Sequence, residues 1–439
     1  MSTTAKDRLS TGSNITHRSE PTSLKSRPDE TPSNTHATVD SKASIRSERS
    51  LRATVAAGNK DVEGGLRKKL STVECLKTIV LATKLNILLV FVPLGIVAYQ
   101  LKWSEVTIFV LNFMAIIPLA RLLGYATEEI SLRVSESAGA LLIATFGNAV
   151  ELIISIVALK EHKVPVVQAS VLGSVLSNLL LVLGFCFVFG GMKHTSQQFN
   201  QTAAQTSASL LSLSCLSLLI PAAFHATTAT TLDQTTNIKH LSYGTSIVLL
   251  IVYGLYLLFQ LKTHTHLYAT SSEDENDPVL PLWMGIALLV VVTAVIVFCA
   301  DYLVTSIDGL AEAWNISPVF IGLILLPIVS NAAENATAVT MAWRDKMNLA
   351  ISVAIGSSMQ VALFVTPLLV ILGWIIDEPM TLFFNTFETC VMFVSVLIVN
   401  YLIQDGESNW LEGVMLLSTY LIIAVAIYFY PVAVETAHP

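Results

Sequence analysis

Uninterrupted apolar stretches of about twenty residues constrain this chain most, because a helix of that length spans the hydrocarbon core of a bilayer. Eleven such runs lie near 80–101, 105–124, 139–159, 166–190, 207–224, 241–261, 280–303, 318–341, 349–374, 381–403 and 411–430. In hydrocarbon each must be a helix, which satisfies its own backbone hydrogen bonds. A membrane barrel would instead show short alternating segments. The expected fold is an all-α integral membrane protein with about eleven transmembrane helices. Composition agrees, with 53% hydrophobic residues, 13% charged residues and a mean hydropathy of +0.65.

A net charge of −7 and the lack of a basic stripe with interleaved aromatics exclude nucleic acid as a partner. Cys75, Cys186, Cys215, Cys299 and Cys390 have neither metal-ligand nor disulfide spacing, and read as small buried hydrophobes.

Residues 1–75 are rich in Ser, Thr, Asn and charge, and are expected to be a disordered tail. No cleavable signal peptide or lipidation motif is read there. Arg67, Lys68, Lys69 and Lys77 stand against the first span, so the positive-inside rule puts the tail in the cytosol. Two membrane halves follow, 76–260 and 281–439. A cytosolic loop at 261–280 joins them and carries Glu273, Asp274, Glu275 and Asp277, a solvated or cation-gathering segment. Eleven crossings would leave the C-terminus lumenal or extracellular.

The two halves resemble each other. Asn-Ala-x-Glu occurs at 148–151 and 331–334, and a Gly-Ser pair begins 22 residues after each Glu, at 173 and 356. Two linked motifs at one ungapped spacing indicate duplication. Five crossings separate the copies, so the second is inverted relative to the first. Inverted repeats typify transporters that work by alternating access around a midplane site.

Glu151 and Glu334 fall near the middle of apolar spans, where a carboxylate is costly and functional. Asn148 and Asn331 precede them by three residues and share their helix faces. Gly147, and Pro327 with Ser330, favour loosened helix there, which would free backbone carbonyls as ligands. Two carboxylates, two amides and backbone oxygens suit a hard cation such as calcium, with manganese the other oxygen-preferring possibility. Ser174, Ser357, Gln168 and Gln360 are placed to complete or orient that shell, or to make interhelical hydrogen bonds. Without the ion, two like charges face each other out of water, so the empty site should take up protons as a coupled pair. Ion and proton then compete for the same oxygens. The ions are cargo, and no resident cofactor is expected.

The segments "GNAVELIISIVALK", "VVQASVLGSVLSNLLLVLG", "NAAENATAV", "AIGSSMQVALFVTPLLVILGW" and "SNWLEGVMLLSTYLIIAVAIYFYP" resemble the vacuolar calcium/proton exchangers of the calcium/cation antiporter superfamily, over about 75–431. The resemblance implies eleven spans arranged one plus five plus five, with two inverted five-helix repeats. It also implies a cytosolic acidic segment, a vacuolar or other acidic-organelle membrane, and ion binding at Glu151 and Glu334. Glu128 matches an acidic position at the cytosolic approach, with Glu129 beside it. The chain departs from the family pattern at Ser330 and Asn335, where Gly and His are usual.

The expected function is thus secondary antiport of calcium, or manganese, for protons. A passive divalent-cation channel would need an acidic ring or a carbonyl filter across subunits. A non-transporting regulatory relative is a further alternative, prompted by Asn335. An enzyme is not expected, since neither Glu has a partnered His, metal or nucleophile.

Overall fold

The structure is a computed structural model that describes residues 84–227, 232–265 and 280–430. The tail at 1–75 and the acidic stretch at 270–278 lie outside the described residues.

The chain is built from helices. A 3-10 turn, Lys84–Val90, leads into α1 (Phe91–Gln100). The first half continues with α2 (Glu105–Ser131), α3 (Glu136–Gly147), α4 (Ala149–Lys160), α5 (Val164–Leu176), α6 (Leu183–Lys193), α7 (Gln201–Thr227) and α8 (Leu232–Leu258). The second half contains α9 (Leu282–Thr305), α10 (Ile307–Trp314), α11 (Pro318–Phe320), α12 (Leu326–Ser330) and α13 (Ala332–Trp343). It ends with α14 (Met347–Gln360), α15 (Thr366–Ile376), α16 (Thr386–Leu402) and α17 (Trp410–Tyr428). Wider π-turns join α5 to α6 (Ser177–Val182), extend α8 (Phe259–Thr263), join α11 to α12 (Ile321–Leu325) and join α14 to α15 (Val361–Val365). Two-residue strands, β1 (Gln197–Gln198) and β2 (Glu407–Ser408), pair antiparallel and tie the connection after α6 to the one before α17.

Among the described residues, seven helices are long and apolar enough to cross a membrane, or up to nine if each bent pair counts as one span. Two shorter apolar helices, Leu85–Gln100 and Thr386–Leu402, stand where the first and tenth runs were expected. Several helices outrun the apolar stretch that announced them. The run at 105–124 continues to Ser131, and the run at 207–224 begins at Gln201, with the Thr127 and Thr206 hydroxyls satisfied by the carbonyl four residues earlier. The chain after α9 was unexpected. Helix α10 turns by 115° into Pro318–Ser330, with Asn315 in the left-handed region as its cap.

Burial separates the centre from the rim. The window in Val164–Lys193 is 83% buried, whereas those in Leu282–Thr305 and Trp410–Tyr428 are 28% buried, so α5–α6 is central while α9 and α17 face outward. The outer faces carry Val248, Ile251, Val290, Phe298, Leu421 and Ile422, exposed in a way that water would not tolerate but lipid does. All six tryptophans (103, 283, 314, 343, 374 and 410) are exposed and sit at or beside helix ends, as an interfacial aromatic belt requires. Close crossings rest on small residues. A Cβ on Gly413 would stand 2.6 Å from the Val188 nitrogen and 2.7 Å from the Gly184 carbonyl, so α17 lies directly against α6. Cys186, Cys215 and Cys299 are buried as expected, but Cys390 is exposed, because its face of α16 points out of the helix packing.

Candidate functional site

Both copies of Asn-Ala-x-Glu lie where a helix breaks. Asn148 (φ −97°, ψ 20°) separates α3 from α4, which are bent by 45°, and Asn331 (φ −92°, ψ 1°) separates α12 from α13. The loosening that Gly147, and Pro327 with Ser330, suggested thus falls one residue after Gly147 in one copy and one residue after Ser330 in the other. Each Glu then sits in the first turn of the following helix, where backbone N–H groups point outward and favour negative charge.

The side chains cross between the halves. Asn148 Nδ2 donates to Gln360 Oε1 (2.7 Å), and Ser357 Oγ lies 3.0 Å from Asn148 Oδ1. Asn331 Nδ2 donates to Ser174 Oγ (2.8 Å). These contacts are reciprocal, since 148 corresponds to 331 and 174 to 357 under one offset of 183 residues. Such mutual pairing is what a two-fold relation between two copies produces. Ser357 Oγ also lies 3.2 Å from Glu334 Oε2 and accepts from Asn178 Nδ2 (3.1 Å).

Six of the eight expected ion-shell residues therefore make cross-half or motif-to-motif hydrogen bonds in two groups, Asn148, Ser357, Gln360 and Glu334 in one and Asn331 with Ser174 in the other. Glu151, buried at 4% exposure, has both carboxylate oxygens out of solvent and without a hydrogen bond of normal length among the described residues, its own backbone N–H and the Ser330 hydroxyl being the donors that face it. Asn331 Oδ1 likewise lies out of solvent without such a bond. Gln168 is not brought in. Its amide donates to the Thr381 and Phe383 carbonyls (3.1 and 3.0 Å), bracing the connection before α16. Asn178 was missed, although a lone amide four residues after Ser174 in an apolar run shares its helix face.

A cavity of about 410 Å3 reaches the group that holds Glu334 from one side. Glu334, Ser357, Gln360, Ser330 and Gly147 line its inner end, and Arg121, Gly124, Ile143, Leu261, Thr337 and Leu349 line the rest. These come from α2, α3, the π-turn that extends α8, α13 and α14, so both halves contribute to its wall. A Cβ on Gly147 would stand 3.3 Å from Glu334 Oε1, so glycine there leaves room for the carboxylate. At the equivalent position, Ser330 Oγ turns toward the Pro327 carbonyl at 3.5 Å. Asn335 Oδ1 is buried without a partner among the described residues. At the opposite end, His162–Glu378 and Lys163–Asp308 (each 2.5 Å) tie the halves together.

The two approach residues differ. Glu128 is exposed near the end of α2. Glu129 is buried and accepts from the Leu280 nitrogen (2.8 Å), clamping α2 to the start of α9.

A buried carboxylate at Glu151, a half-buried one at Glu334, amide oxygens and hydroxyls, drawn from both halves at two helix breaks, are the donors an all-oxygen shell would use. Stripped of a cation or protons, such a shell would place uncompensated charge at Glu151, away from solvent. The model of the family described as "Sodium/calcium exchanger protein" matches residues 104–262 and 284–429. A vacuolar calcium ion transporter of Schizosaccharomyces pombe is 49% identical, covering 82% of this chain and 89% of its own. A Ca(2+)/H(+) antiporter of Aphanothece halophytica is 44% identical, covering 79% and 97%. The solved structure of native YfkE superposes with a TM-score of 0.69 at 36% identity, over 79% of this chain and all of that one.

Proposed function

The chain belongs to the sodium/calcium exchanger protein family, and on that premise we propose that Glu151 and Glu334 bind calcium and protons in turn as it exchanges one for the other across a vacuolar membrane. It is a multi-pass membrane antiporter and not an enzyme.

One observation carries the site assignment: both oxygens of Glu151 and Asn331 Oδ1 are buried acceptors without a hydrogen bond of normal length, in the two repeated motifs that also supply Glu334. A buried acceptor without a donor costs about 1–3 kcal/mol, more when charged. A shell of such acceptors is stable only with a cation or with protons in it. Calcium neutralises the carboxylate pair, and protons do the same by attaching to it. The two cargoes exclude each other, which is the thermodynamic basis of antiport.

Access from one side supports a carrier over a pore. The cavity reaches Glu334 but not the buried Glu151, and the far end is tied by the Lys163–Asp308 ion pair and the His162–Glu378 contact. In this reading the cavity faces the cytosol, the N-terminus is cytosolic and the C-terminus lumenal. Manganese is a second cargo that the same oxygen donors accept.

The test is calcium uptake into acid-inside vesicles containing the purified protein, with and without a protonophore. Uptake should collapse with the proton gradient and in both Glu151→Gln and Glu334→Gln. Uptake that survives the protonophore with no imposed membrane potential would overturn proton exchange. Uptake that survives both substitutions would overturn the site.

A further inference from the structure

The cavity holds one charged group that the exchange reading does not use. Among the described residues lining it, only Glu334 and Arg121 are charged. Arg121 sits in α2, ten residues before its end at Ser131, or about 15 Å of helix rise into the span. A basic residue that only set topology would stand in a connection between spans. Ala120, Leu123 and Gly124 line the cavity from the same stretch of helix, so this face of α2 forms its wall. Arg121 is half-buried, and it makes no hydrogen bond or ion pair among the described residues. A guanidinium keeps its charge at every relevant pH, and inside a span it is costly unless paired or wetted. Here the cavity wets it, in the same enclosed space as a carboxylate of the ion shell.

Resting on the assignment of Glu334 to that shell, we propose that Arg121 is a specificity-determining counter-charge, which limits how tightly the open cavity holds a divalent cation. A fixed positive charge adds a repulsive potential at the shell, and apolar walls let that potential persist. The binding constant of a cation falls exponentially with its charge in such a potential. A divalent ion is therefore weakened by the square of the factor that applies to a monovalent ion. The arrangement suits a carrier, because an ion must bind well enough to enter and loosely enough to leave. Arg121 touches neither carboxylate by any bond, so it acts through the field alone. Its removal should tighten calcium binding, whereas loss of a ligand would weaken it.

The experiment compares wild type, Arg121→Lys and Arg121→Gln, with Arg121→Met replacing the glutamine variant if that does not fold. Calcium affinity is measured by calorimetry on purified protein, and the KM for calcium in the vesicle assay, at alkaline pH on the cavity side. Without the charge, Kd and KM should both fall by about three- to tenfold, the range expected for one charge acting on a divalent ion across a wet cavity. Arg121→Lys should stay near wild type. Raising ionic strength with a bulky organic salt should shrink the difference, as the screening length drops from about 10 Å at 0.1 M toward 3 Å at 1 M. Unchanged or weaker calcium binding in a folded charge-free variant would overturn the proposal, as would an Arg121→Lys variant that behaves like it. The two readings fail separately. A wild type without proton-driven calcium uptake defeats the exchange reading. Uptake that is lost in Glu334→Gln but insensitive to Arg121→Gln defeats this one alone.

Discussion

Ser357 carries one hydroxyl proton and faces two acceptors, Asn148 Oδ1 at 3.0 Å and Glu334 Oε2 at 3.2 Å. It can donate to only one at a time, while Asn178 Nδ2 occupies one of its lone pairs. Its counterpart Ser174 has a single cross-half partner, Asn331 Nδ2. Equivalent serines therefore do unequal work. Replacing Ser357 by Ala strands the Asn178 amide and one acceptor, at about 1–3 kcal/mol for buried groups. Calcium KM in Ser357→Ala should rise by about tenfold or more, since 1.4 kcal/mol is one decade, and Ser174→Ala should change it less. Equal effects in the vesicle assay would show that the asymmetry of the hydrogen bonds has no energetic content. At this scale the sequence was informative where chemistry was expensive. A Glu in an apolar run twice over, with Asn three residues before it, stands out against its surroundings. Gln168 and Gln360 look alike in the sequence, and only the fold shows that one points to the connection at 381–383 and the other to Asn148.

At the scale of elements, what was legible follows from hydrocarbon thickness, and what was not follows from hydrogen bonding. The apolar runs located the spanning helices because each must be continuous over about 30 Å. Their true ends were hidden. Helix α2 carries Glu128 and Glu129 on its last turns, and no apolar signal extends that far. The clamp from Glu129 to the Leu280 nitrogen reaches 151 residues along the chain, beyond any local pattern. The π-turns were also invisible, although they fall at related places, beginning at Ser177 in one copy and Val361 in the other. Such wide turns recur at functional sites, and here they lie in the long helices that supply Ser174, Asn178, Ser357 and Gln360. The breaks at Asn148 and Asn331 were half visible, since Gly147, and Pro327 with Ser330, announced a weak helix without fixing the residue at which it gives way.

On the scale of the whole molecule, the two copies of Gly-Ser occupy opposite environments. A Cβ on Gly173 would stand 2.1 Å from the Leu323 carbonyl oxygen, a backbone atom that cannot swing aside, so α5 is pressed against the turn that joins α11 to α12. At Gly356 a Cβ would meet nothing within 4 Å, because that glycine lines the cavity. The residue related to Leu323 by the 183-residue offset falls on α3, and Ile143, Ala144, Phe146 and Gly147 of that helix line the same cavity as Gly356. If the two copies exchange conformations in alternating access, the close contact must pass from Gly173 to Gly356 as the cavity closes on one side and opens on the other. A methyl group at 356 is then harmless in the state described here and obstructive in its opposite. Gly356→Ala should keep the fold, with little change in Tm, and should retain calcium binding by calorimetry, while uptake into vesicles falls by at least about tenfold. That fall corresponds to a penalty of 1.4 kcal/mol or more on one conformer, modest for overlap with backbone in a packed interface. Gly173→Ala should do the reverse, disfavouring the state with this cavity and weakening calcium binding from its side. Wild-type turnover in Gly356→Ala would mean that the copies do not trade places, and the asymmetry at these two glycines would then be a fixed feature of the fold.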